Sequence, residues 1–76
     1  MVTVKPSDLI LMGFQFRQET HQGKHFTGHR LRIRLSDRHI RIRMMSCSCA
    51  FVQTNEYTLE NLKNLLDGLK VEHNQD

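Results

Sequence analysis

The sequence predicts an α+β fold: a three- to four-stranded antiparallel β-meander with one C-terminal helix packed on one face. Three patterns carry this reading. Leu31, Ile33 and Leu35 alternate with Arg30, Arg32 and Arg34, and Ile40, Ile42 and Met44 alternate with Arg41 and Arg43. Leu59, Leu62, Leu65, Leu66 and Leu69 recur instead at helical spacing. A period of two marks a strand with one buried face, and a period near 3.6 marks a helix with one apolar stripe.

Taken in order, Val2 to Val4 reads as a short edge strand ended by Pro6, since proline cannot donate to a ladder. Ile10, Met12, Phe14 and Phe16 alternate with Leu11, Gly13, Gln15 and Arg17, which predicts a first strand from about Leu9 to Glu19. A turn at His21 to Lys24 leads into a second strand. Centred on Gln22-Gly23, it sets Phe14 opposite Leu31 and Met12 opposite Ile33. Ser36-Asp37-Arg38-His39 is the break of a hairpin, because Ser and Asp favour turns. Its register places Leu35 against Ile40, Arg34 against Arg41, Ile33 against Ile42 and Arg32 against Arg43. Met45, Cys47, Cys49 and Phe51 extend the apolar alternation in the opposite phase, which a bulge or bend near Met44 to Ser46 reconciles. The helix runs from about Leu59 to Leu69, with Thr58 as its N-cap and Tyr57 stapling Leu62. Residues 1–70 are expected to form a single small domain, and 71–76 a flexible tail.

Size and charge narrow the function. The chain has 76 residues, 25% of them charged, and a net charge of +3. One core of this size supports a binding module more readily than a deep cleft with cofactor chemistry, so no cofactor is expected. No stretch approaches the roughly 18 apolar residues of a membrane span, and the first ten residues lack a signal-peptide pattern. Cys47 and Cys49 on one strand would stand about 7 Å apart, awkward for a disulfide. Reduced thiols and a cytoplasmic location are therefore expected. The cysteine spacing also departs from zinc-type pairs, so buried packing is the expected role of both and no metal is expected.

Charge is segregated along the chain. From Arg30 to Arg43 six arginines face one acid, Asp37, a local balance of +5; from Thr54 to Asp76 the balance is −3. The hairpin register sets arginine directly opposite arginine, an arrangement that destabilises by roughly 0.2–1 kcal/mol per pair. Selection for stability alone would place Glu or Thr at half of these positions. Guanidinium is also the planar fork that donates two hydrogen bonds to a phosphate or a guanine edge. The candidate anion-binding residues are Arg30, Arg32, Arg34, Arg41 and Arg43, with Gln15 and Arg17 extending the surface from the neighbouring strand. The bland alternative is a solvated face whose arginines are neutralised by Glu19, Asp8 or the acidic helix. Arg38, in a turn, is read as solvated.

A three-stranded antiparallel sheet followed by a helix, over about residues 9–70, is similar in outline to the plant AP2-type domain and to the arm-binding domain of some phage and transposon integrases. Both insert the sheet into the DNA major groove. The likeness is one of element order, and it implies a nucleic-acid partner with DNA ahead of RNA. A two-stranded ribbon is itself narrow enough for that groove. The second reading is an interaction protein, such as a phage- or plasmid-encoded inhibitor, that docks its basic sheet on an acidic protein surface. The third is a small ribonuclease using His25, His29 or His39 with the arginines. Exposed strand edges make a homodimer one further expectation.

Overall fold

The computed structural model describes residues 1–47 and 50–69, with the backbone but not the side chain of Phe51 among them. Cys49 and the tail beyond residue 70 lie outside the described residues. The elements in chain order are α1 (Pro6–Leu11), β1 (Gln15–Thr20), β2 (Gly23–Gly28), β3 (Leu31–Leu35), β4 (Ile40–Met44), β5 (Ala50–Thr54) and α2 (Leu59–Gly68). The strands form one antiparallel sheet in the order β1-β2-β3-β4-β5, a pure meander with one more strand than the upper expectation.

The β3–β4 hairpin has the expected register at every position, from Leu35 opposite Ile40 to Arg32 opposite Arg43, and continues to Leu31 opposite Met44. Helix α2 also forms where the leucine stripe predicts it. The Thr58 hydroxyl accepts from the Asn61 backbone N–H at 3.2 Å, and the Asn61 side-chain oxygen accepts from the Thr58 backbone N–H at 3.0 Å. This reciprocal cap satisfies two of the donors that a helix start leaves open. Leu62 and Leu66 are fully buried, and Tyr57 packs against the cluster that contains them.

The first third of the chain departs from the reading. Residues 6–11 are helical, not the start of a strand, and Ile10, expected on the apolar face, is 51% exposed instead. Proline suits the first helical position, where its missing N–H is not needed, and the Asp8 carboxylate accepts from the Lys5 backbone N–H at 2.9 Å. Gly13, at φ +96, then ends the helix. The Phe14 N–H reaches the Leu9 carbonyl and the Gly13 N–H that of Ile10, a Schellman closure with Leu9 and Phe14 both buried. Val2 makes only a single bridge, parallel to Tyr57, in place of an edge strand.

The expected second strand is two strands. Gly28 pairs with Leu31, and between them His29 (φ 50) and Arg30 (φ 64) make a two-residue turn with both residues left-handed. Such turns match the twist of the strands they join. Phe14 therefore does not oppose Leu31, and Phe16 pairs with Phe26 instead. The turn is held from outside its own hairpin. The His29 ring meets Phe14 edge-on at 5.0 Å, and its Nε2 donates to the Met12 carbonyl at 2.7 Å. A Cβ on Gly28 would lie 3.0 Å from the Gly13 carbonyl oxygen and from the Phe14 Cα, so a larger residue there would force the two chains apart. After β4 the chain turns at Met45-Ser46 and comes back as β5, rather than extending the strand.

Leu9 and Met12, Phe26, Leu31, Ile33 and Leu35, Ile40 and Ile42, and Leu62 and Leu66 share one core. Each such side chain withdrawn from water contributes about 1.5–3 kcal/mol. No described helix is long and apolar enough to cross a membrane.

Candidate nucleic-acid interface

Strand parity builds the opposite face. In an antiparallel ladder the residues directly across from each other point the same way. Arg32 pairs with Arg43 and with Thr27, which in turn pairs with Gln15; Arg34 pairs with Arg41 and with His25, which pairs with Gln18. On the far side Arg41 pairs with Gln53. All of these side chains stand away from the core that the partner residues Ile33, Ile42 and Phe26 fill.

The result is a shallow groove across the sheet, with arginines from three strands: Arg17 on β1, Arg32 and Arg34 on β3, and Arg41 and Arg43 on β4. Arg17 joins through a bulge that interrupts the register between Phe16 and Gln18, a device that re-aims a side chain. Its Nη1 donates to the Gln15 side chain at 3.0 Å, although Gln15 itself does not line the groove. Arg34 Nη1 donates to Gln22 at 3.2 Å, and Arg43 Nη1 to the Cys47 carbonyl at 3.2 Å. These bonds hold the guanidiniums of Arg17, Arg34 and Arg43 with neutral acceptors. Among the described residues no carboxylate lines the groove. Asp8 is spent on the Lys5 cap, and Glu19 pairs with Lys24 in the ladder.

Arg30 is not part of this surface. It lies in the β2–β3 turn, exposed, with its carbonyl accepting from the Met45 N–H at 2.9 Å, because the strand that was to carry it ends at Gly28. The chain thus loses one expected arginine from the face and keeps the other four, with Arg17 completing five. Arg38 is exposed in the β3–β4 loop.

Gln18, Gln22, Thr27 and Gln53 on this face escaped the sequence reading, and His25, named there only as a ribonuclease candidate, joins them. The parity of His25 and Thr27 becomes legible only once Gly28-His29-Arg30-Leu31 is taken as a turn, for which Gly28 was the available signal, and that of Gln18 follows from the bulge beside Arg17. His25 Nε2 lies 3.1 Å from the Thr20 hydroxyl, which also accepts from the Gln22 N–H at 3.2 Å. His29 and His39 are elsewhere, in the β2–β3 and β3–β4 connections. A carbonyl only accepts, so the His29 Nε2 bound to Met12 carries a hydrogen, and that side chain acts as a clamp on the fold. No second histidine joins His25 in the groove among the described residues. Cys47 is exposed, not packed in the core as expected. No described group of three His, Cys, Asp or Glu residues is placed to hold a metal ion.

The β3–β4 hairpin is not a free ribbon. It occupies the middle of the sheet, flanked by β2 and β5, and the chain opens with a helix; both features depart from the outline of three strands and a helix. Fold and site together define a five-stranded meander covered by helices on one side and cationic on the other. Comparison with protein-family models, with characterised proteins and with solved structures finds no match in any of the three.

Proposed function

We propose that this protein is a non-enzymatic module that binds nucleic acid through the outward face of its sheet, using Arg17, Arg32, Arg34, Arg41 and Arg43. The observation that supports this most is the gathering of five arginines in one groove with no carboxylate lining it among the described residues. Two of the contacts are direct like-charge pairs, Arg32 with Arg43 and Arg34 with Arg41, which cost stability and are relieved by an anion. The arginines neutralise phosphates and release counterions, so five contacts give a log-log salt slope near −4.5, about −0.9 per phosphate.

The test is a salt titration of binding to a duplex, with the Arg32→Gln, Arg43→Gln double variant beside the parent. The expected slope falls by about 1.8, two phosphates' worth, in the variant. Binding that ignores salt, or that is indifferent to this double change, overturns the reading. Purification free of nucleic acid, with a stoichiometric acidic protein instead, would give the face to a protein partner.

A further inference from the structure

We infer that the partner is an A-form duplex, double-stranded RNA, gripped by its backbone without reading base sequence; this rests on the reading that the face binds nucleic acid. Three features of the face lead there. The first is width. Five strands span four inter-strand spacings of about 4.8 Å, close to 19 Å, whereas the B-form major groove is about 12 Å wide. With Arg32, Arg34, Arg41 and Arg43 on the two strands β3 and β4, and β2 and β5 on either side, the sheet as a whole is wider than that groove and meets a duplex across its surface. The wide, shallow minor groove of an A-form helix presents its sugars and phosphates to a broad surface.

The second feature is the order of side chains across the sheet. The four paired arginines are followed on one side by Thr27 and His25 and then by Gln18 beside Arg17, and on the other side by Gln53. Amides and hydroxyls both donate and accept, which arginine cannot. The 2′-hydroxyl of RNA does the same, and DNA offers no such group. A block that neutralises phosphates with flanks that match sugar hydroxyls is complementary to a ribose-phosphate backbone. The third feature concerns single strands. Sequence-tolerant single-strand binding uses aromatic platforms for the unstacked bases. Of the described rings, Phe26 borders the groove but is 1% exposed and belongs to the core, Phe16 meets it edge-on at 5.5 Å, and Tyr57 packs against the same core, so none of the three stands among the arginines as a platform.

The experiment measures fluorescence-anisotropy affinities of the full chain for four probes of one sequence and about 20 base pairs or nucleotides, a length that covers the reach of a small domain. The probes are duplex RNA, duplex DNA and the two single strands, with a scrambled RNA duplex as control. Duplex RNA is expected to bind about tenfold tighter than duplex DNA, the worth of one or two added hydrogen bonds, and the scrambled duplex equally well. The Gln18→Ala, Thr27→Val double variant is expected to lose most of that preference while keeping the parent's salt slope, since no charge is removed. Equal affinity for both duplexes with the salt slope intact would overturn the RNA assignment alone and leave a general polyanion face. Tighter binding to duplex DNA or to either single strand would overturn it too. Failure of all probes to bind would overturn both this inference and the nucleic-acid reading beneath it.

Discussion

Strands β3 and β4 have two faces made from alternating residues of the same ten positions, and the faces obey opposite rules. On the covered side Leu31, Ile33, Leu35, Ile40 and Ile42 are between 0% and 6% exposed. On the other side Arg32, Arg34, Arg41 and Arg43 stand in two like-charge pairs with no carboxylate beside them among the described residues. One face is arranged so that every contact lowers the free energy of folding. The other carries a repulsion that folding does not need. Substitutions on the two faces should therefore move stability in opposite directions, and binding should follow only the outward one.

The largest effect is expected on the covered side. Ile33→Ala or Ile42→Ala removes a fully buried side chain at the centre of the sheet and should cost about 2–5 kcal/mol. Denaturant unfolding measures it, and a loss under 1 kcal/mol would mean the two faces are less distinct than their exposure says. Next comes Gly13→Ala. The residue sits at φ +96, and a Cβ there would lie 2.8 Å from the His29 ring, so the Schellman closure and the β2–β3 turn are both strained. A loss of about 1–3 kcal/mol is expected by thermal or denaturant melting. Removing the α2 cap with Thr58→Ala should cost about 1 kcal/mol, because the Asn61 N–H loses its acceptor.

The outward face should respond in the other sense. Arg43→Thr replaces a like-charge pair by one that packs well on a strand, and stability is expected to rise by about 0.2–1 kcal/mol while affinity for a duplex falls. A variant that both destabilises and leaves binding intact would remove the contrast between the faces. The smallest effect concerns Tyr57, whose phenol is pushed up from its ordinary value of 10.0 by burial. A raised folded-state pKa contributes stability that is full below the unfolded value and is lost as pH rises through the folded one. Tyr57→Phe should accordingly flatten the decline of the melting temperature above pH 10.0 and change nothing near neutrality.

The sequence by itself determined the β3–β4 register, the extent of α2 and the face that Arg32, Arg34, Arg41 and Arg43 share. In each case the signal is local: strict alternation in a hairpin, or a leucine stripe with a capping threonine, can be satisfied in only one phase without burying charge. The path of residues 9–31 was decided by tertiary structure. Ile10, Met12, Phe14 and Phe16 fit a strand by spacing, yet Leu9 and Met12, three apart, fit one face of a helix equally well, and short apolar runs do not distinguish the two. What decided between them lies far along the chain. The His29 ring bonded to the Met12 carbonyl, and Gly28 pressed against Gly13 and Phe14, stabilise the helix end and the tight turn together. That turn moves Arg30 off the cationic face, and with the Arg17 bulge it brings Gln18, His25 and Thr27 onto it. Alternation along a strand is a property of neighbours, and so it is written in the sequence. Where a strand stops depends on a partner that only the folded chain supplies.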